Sequence, residues 1–420
     1  MNTQIALQND MKNSRRSFLK GVAAGACGLG FGGKLGAQAF PRQDLKIEPK
    51  YQSKKSLHEP TRYLFITDIM STYLSVYDIE TAHRVAHINL NFRPDTIEMA
   101  RDDSMLAIGN RELNGLVLLD LKDASFRTLM MPSPVHQIFF IPQTKLLAVG
   151  LRDQVGVVDY ENDKVDIFSR KFDSENRTNS QFTYYKLLFS SFSQTYWVLD
   201  REKPTIYRKN GLDKSDWTTL DLSKRLRKPA GLDKGIASPE DFMLAFNTFE
   251  GDEGLIYFPQ EDKLLSTGPM YTVGSTWRPL VMPYIDQYSQ RVIFADMSGH
   301  VAYFDLREKD PKPHRFELPF SPRIIRSGWL ESTWIVGGDK ALHFQSYEDP
   351  SDKVTYEFPY QVVDMWVTGD SKTLLLTVDE GPAEIWRFDI RSREMLDPIS
   401  VRGVVMANQI RMGSNNSICY

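Results

Sequence analysis

Apolar and polar positions alternate in short bursts along residues 62–412, each burst about a strand in length and each ended by a turn-forming cluster. The most regular mark is an apolar pair followed by Asp and a charged turn. It occurs at Val76-Tyr77-Asp78, Leu118-Leu119-Asp120, Val157-Val158-Asp159 and Tyr303-Phe304-Asp305, with Arg387-Phe388-Asp389 as a variant. The five aspartates are 42, 39, 146 and 84 residues apart, which divide as one, one, three and two units of about 39–49 residues. Seven such intervals imply eight repeats.

Residues 95–130 display the unit most clearly. Thr96-Ile97-Glu98-Met99 alternates and Arg101-Asp102-Asp103-Ser104 turns. Residues 105–109 are apolar, Leu116 to Leu119 form a second apolar run before Asp120, and residues 126–130 close the unit. Four short antiparallel strands in about 36 residues, repeated along the chain, form the pattern of a β-propeller, whose blades bury their faces against their neighbours. The predicted blades are 95–130, 133–169, 184–222, 230–267, 277–317, 322–358 and 361–398. The eighth is composite: residues 62–90 supply three strands and residues 403–412 the fourth, so the two ends of the chain close the ring and hide both sheet edges. The expectation is an all-β propeller of eight four-stranded antiparallel blades. Seven is the alternative, because the repeats within 184–267 are irregular.

Three segments of the best unit carry a family resemblance: Arg93-Pro94-Asp95-Thr96-Ile97, Asp102-Asp103-Ser104-Met105-Leu106-Ala107-Ile108 and Leu118-Leu119-Asp120-Leu121. In order they resemble the YVTN-type repeat. More broadly, about 360 residues resemble the propeller superfamily that includes the heavy chains of quinoprotein amine dehydrogenases. The resemblance implies the fold, while repeats of this type serve enzymes, chaperones and scaffolds alike. In the amine dehydrogenases the heavy chain holds no quinone and supports a small light subunit. Some eight-bladed periplasmic propellers are haem d1-type proteins.

The N-terminus adds an address. Lys12, Arg15, Arg16 and Lys20 precede a small, apolar run at 21–33, and Ala37-Gln38-Ala39 follows as a cleavage site, so residues 1–39 read as an export signal. Ser14-Arg15-Arg16-Ser17-Phe18-Leu19-Lys20 resembles the twin-arginine motif, which implies the twin-arginine translocase as a partner during export and the periplasm as destination. The run is too short and too weakly apolar for a stable membrane span. Cleavage after Ala39 leaves residues 40–61 as a linker to a 62–420 propeller, with 46 basic against 53 acidic residues. That balance offers no basic excess for nucleic-acid phosphates. Cys419 is the one cysteine left, which excludes an internal disulfide in the mature chain. The 420 residues are 41% apolar and 25% charged, an ordinary globular composition.

Candidate chemistry follows from the fold. The segment leading into the first strand of each blade collects around one mouth of the central channel. Those segments carry Arg93, His136, Lys228, Arg278, Arg323 and Arg402, with Asp95 and Asp364 near the same opening. Several guanidinium and ammonium groups around one opening create a field for an anionic ligand. No spacing among these residues forms a catalytic set. His83-Arg84-Val85-Ala86-His87 has the spacing of a helical zinc motif, but it reads as a strand, in which four residues span about 13 Å and cannot bring both rings to one ion. No metal site and no cofactor motif is legible. A basic stretch from Arg201 to Lys234, including Arg208, Lys209, Arg225, Arg227 and Lys228, suggests a docking face for an acidic partner. The expected role is a non-catalytic binding or scaffold subunit for a ligand or a periplasmic redox partner. The alternatives are a heavy-chain-like amine dehydrogenase subunit and a periplasmic chaperone for a cofactor or metal.

Overall fold

The computed structural model describes residues 39–48, 56–59, 61–152, 154–168, 185–212, 216–270, 280–286, 288–379, 381 and 383–413. Residues 1–38 of the segment that reads as an export signal, Arg278 and Cys419 lie outside these residues. The described chain is all-β apart from a single 3-10 turn at Trp329–Glu331.

Eight separate antiparallel sheets follow one another, seven built on four consecutive strands and one on three consecutive strands completed by the last strand of the chain. We number the blades 1 to 8 along the chain. Blade 1 holds residues 63–89, blade 2 holds 96–130, blade 3 holds 135–167 and blade 4 holds 185–221. Blades 5 to 8 hold 231–266, 284–317, 322–357 and 362–400. First strands of neighbouring blades lie side by side and so surround the axis. Second strands are buried over all or all but one of their residues, as in Met105–Gly109 and Arg291–Ala295, because a blade's inner region is covered on both faces. This is why they read as continuous apolar runs. The core is a series of inter-blade layers. One packs Tyr284, Ile293 and Val301 of blade 6 against Ile325, Trp334 and Val336 of blade 7.

The Asp mark has a physical cause. Asp78 Oδ1 accepts the backbone N–H groups of Glu80 and Thr81, and Asp120 does the same for Lys122 and Asp123. Asp159, Asp305 and Asp389 cap the equivalent turns after the third strand of their blades. Each carboxylate thereby satisfies donors that the turn exposes. Asp78 is fully buried and bonded to Arg62 at 2.7 Å. Burial works to raise its pKa, but the Arg62 bonds and the turn N–H groups outweigh it and hold the carboxyl below the usual range. Turns between first and second strands carry a left-handed residue at Asp103, Gln143, Gln194, Asp241, Gln290, Ser332 and Ser371.

Ring closure is as the repeat count requires. Residues 407–412 (Ala407–Met412) form the innermost strand of blade 1, antiparallel to Tyr63–Asp68, with Leu64 opposite Met412 and Asp68 opposite Ala407. Asp68 clasps the N–H groups of Val405 at 2.9 Å and Met406 at 3.3 Å, and Tyr77 Oη donates to the Arg402 carbonyl at 2.6 Å. The stretch read as a linker does more than connect. Gln43–Asp44 adds a fifth strand to blade 2, Ile47 bridges to Ala86 of blade 1, and Leu57 is buried.

Candidate functional site

The segments leading into first strands and the turns between second and third strands share one face of the ring, here the upper face. Arg93 and Arg402 are exposed there. Lys228 pairs with Asp252 at 3.4 Å, and Arg323 pairs with Asp339 at 2.9 Å. Asp95 accepts from Arg111 at 2.6 Å. These mouth residues are on the face where the repeat places them, but Lys228, Arg323 and Asp95 already hold counter-charges. Asp364 is engaged deeper. Only 6% exposed, it accepts from the N–H groups of Met365 (2.9 Å) and Ile410 (3.0 Å) and from the guanidinium groups of Arg411 (3.1 Å) and Arg326 (3.4 Å).

His136 leads from the rim into the channel throat. Burial lowers its pKa to about 3, helped by the nearby Lys186, Arg111 and Arg152 charges and opposed by the Pro134 carbonyl. The imidazole is therefore neutral at physiological pH. Its Nε2 is buried with no hydrogen-bond partner, and Tyr185 meets the ring edge-on at 5.8 Å between centroids. Lys186 follows from blade 4. Burial lowers its pKa, Asp233 and Asp95 oppose this, and Arg111 and Arg201 reinforce it. Among the described residues Lys186 makes no ion pair.

Blade 5 adds Lys234, lowered by burial, whose Nζ donates to the Leu280 carbonyl at 2.8 Å. It also adds Asp233, bound by Arg201 at 3.0 Å. Gly231 permits this approach, since a Cβ there would collide with the Arg201 carbonyl. From the closing strand, Gln409 Nε2 donates to the Asp95 carbonyl at 3.0 Å, which leaves its Oε1 buried without a partner. Lys186, Lys234, Arg111, Arg152, Arg201 and Arg323 thus surround the throat, against the carboxylates of Asp95, Asp233 and Asp339.

Further down, Glu98 projects from the first strand of blade 2. Burial pushes its carboxyl up to about 7, against the pull of Arg411 and Arg101. At the lower end the Arg101 guanidinium of blade 2 reaches past blade 3 and lies 4.5 Å from the Phe192 ring centroid of blade 4.

Other polar groups are absorbed structurally. His83 Nδ1 contacts the Thr81 carbonyl, while His87 bonds Ser75 and stacks on Tyr73, so the two rings serve different neighbours. The basic stretch suggested as a docking face is dispersed among blade partners. Arg208 bonds Asp241, Arg225 bonds Asp262, Arg227 pairs with Asp252 and Lys209 is buried under Phe168. A cavity of about 440 Å³ between blades 5 and 6 is lined by Met270, His300, Arg315 and Glu317. Its main polar groups are engaged, His300 with Asp296 at 2.9 Å and Arg315 with the Pro269 carbonyl at 3.0 Å.

No family model matches the chain, and no curated protein does. Solved structures match by fold. The dihydro-heme d1 dehydrogenase NirN in complex with DHE has a TM-score of 0.63 at 12% identity, over 90% of this chain and 78% of that one. Apo AztD from Citrobacter koseri has a TM-score of 0.58 at 12% identity, over 84% of this chain and 98% of that one. A functionally unknown protein from Desulfotomaculum acetoxidans follows at 0.52 and 9% identity, over 84% and 99%. At such identities the likeness shows the eight-bladed fold alone.

The sequence points to the rim residues and to His136 but not to Glu98, Lys186 or Gln409, and it marks Arg201 and Lys234 only as the ends of the basic stretch. A partial signal was present in Tyr185-Lys186-Leu187-Leu188-Phe189, where one ionisable residue interrupts an otherwise apolar first strand.

Proposed function

We propose that this chain is an exported binding protein, without a catalytic set of its own, that holds a small anionic ligand in the upper throat of its channel. One observation carries the reading: the Lys186 ammonium is recessed beside Arg111 and Arg201, and among the described residues no carboxylate pairs with it, Asp233 and Asp95 acting on it only through their fields. A recessed cation without a counter-ion is costly, and a bound anion removes that cost. Isothermal titration of the mature chain with citrate as probe is expected to show binding. Lys186→Met should weaken it about 10–100-fold, the value of one hydrogen bond to a charged group. Equal affinity in the variant would refute the assignment.

A second reading is favoured by His136. A neutral imidazole with an unpartnered Nε2, set among cations, also suits an anionic ligand that carries a metal, and NirN is described in complex with DHE. A visible absorption band in protein purified from its native host, lost in His136→Ala, would favour this over a colourless ligand.

Export is part of the proposal, with a periplasmic protein partner as a further element. N-terminal sequencing of the mature protein is expected to begin at Phe40, and Arg15→Lys/Arg16→Lys should retain the uncleaved chain in the cytoplasm.

A further inference from the structure

We infer that the throat selects anions that also bring hydroxyl donors, hydroxylated carboxylates of the sugar-acid kind, over plain carboxylates of equal charge. The inference rests on the anion-binding reading above and names its ligand class.

Two buried acceptors without a hydrogen-bond partner lie near the upper channel cations. His136 is the first. The Pro134 carbonyl beside the ring is an acceptor and can be met only by a ring N–H. Since Nε2 has no partner, that proton belongs on Nδ1, and Nε2 presents a buried lone pair. Loading a second proton there to greet an oxyanion is opposed by Lys186 from blade 4, by Arg111 from blade 2 and by Arg152 from the same blade. Tyr185 supplies only a ring edge, because its hydroxyl is committed to the Leu151 and Gln154 carbonyls.

Gln409 is the second. Its amide nitrogen must face the Asp95 carbonyl, so the oxygen faces away and is buried without a donor. Asp95 belongs to the charges around Lys186, which places Gln409 in the same neighbourhood. A plain carboxylate would satisfy Lys186 and press its own lone pairs toward both acceptors. A hydroxylated carboxylate meets the ammonium with its charge and the two acceptors with its O–H groups. Sites built to bond a ligand hydroxyl reject the analogue lacking it, because their buried groups are left unpaired.

Isothermal titration of the mature chain with two four-carbon dianions, tartrate and succinate, tests this. Tartrate is expected to bind at least about tenfold more tightly, one buried hydrogen bond's worth. His136→Phe keeps a ring of similar size without the lone pair, and Gln409→Met keeps the side-chain length. Each should bring the ratio toward one while succinate affinity changes little, and a folded variant is recognised by an unchanged circular dichroism spectrum. Equal binding of the two dianions overturns the inference and leaves the anion-binding reading standing. A tartrate preference that survives in both variants overturns the assignment to these residues. Absence of binding by tartrate, succinate and citrate at millimolar concentration overturns the anion-binding reading, and this inference with it.

Discussion

Deletion of residues 404–420 is expected to leave a chain that no longer unfolds as one cooperative unit and that elutes as aggregate in size-exclusion chromatography. The strand Ala407–Met412 is the inner strand of blade 1, and its loss strips the ladder partner from Tyr63–Asp68, a strand buried at every position. Ile410 and Met412, both essentially unexposed, pack with Leu64, Ile66, Trp366 and Ile385 across the blade 1 to blade 8 junction. Burial of each such side chain contributes about 1.5–3 kcal/mol. The deletion also frees the Asp68 clasp and two of the donors held by Asp364. The total approaches the 5–15 kcal/mol that a domain of ordinary stability has in all. The exposed edge is moreover a template for pairing with another chain. A sharp urea transition at the midpoint of the intact protein, from a monomer, would show that the ring does not depend on this closure.

The ring was legible in the sequence because its repeating marks are local. An Asp that caps the turn after a third strand acts within three residues, so it leaves the same trace wherever the turn recurs. The same holds for the left-handed position at Asp103, Gln143 and Ser371. Blades 4 and 5 blurred the count for an equally local reason. Their third strands end in Asn210-Gly211 and Phe258-Pro259, where no Asp cap marks the turn. Blade 7 substitutes Ser346, whose hydroxyl accepts the N–H groups of Glu348 and Asp349. The composite blade was found by counting strands, since residues 62–90 supply three where every other unit has four.

The throat was less legible because it depends on which strands face one another across a channel. Gln137 shows why. Its side-chain amide bonds both the N–H and the carbonyl of Leu187 and stands in for backbone pairing between blades 3 and 4. Asn247 reaches the Val281 carbonyl between blades 5 and 6 in a related way. Nothing in a single repeat distinguishes such a clamp from a ligand-facing group. Asp364 is the sharpest example: as an acid near the predicted mouth it reads as a ligand group, yet its carboxylate is spent on holding three first strands together.

That role makes Asp364 the point substitution with the largest expected effect. Its two oxygens serve Met365 of its own blade, Arg326 of blade 7, and Ile410 and Arg411 of the closing strand. Asp364→Ala takes away the carboxylate that two guanidinium groups share, leaving Arg326 its bonds to the Met365 and Ile325 carbonyls and Arg411 its bond to the Ile410 carbonyl and its place over the Trp366 ring, and removes a buried acceptor from two backbone N–H groups. Breaking a buried charge pair from one side costs about 3–5 kcal/mol, which urea denaturation can read directly. Asp364→Asn keeps an acceptor of the same shape and should lose less, since only the charge is withdrawn. The cycle with Arg411→Met separates the pair from its surroundings. If the carboxylate is tied to Arg411 as the 3.1 Å contact indicates, the double substitution should cost less than the two single ones added together. A loss under about 1 kcal/mol for Asp364→Ala would place it among ordinary surface changes and refute the clasp. If Asp364→Asn also lowers citrate affinity as strongly as Lys186→Met does, the residue faces the ligand after all. Reduced stability with unchanged citrate binding is the result that the geometry requires.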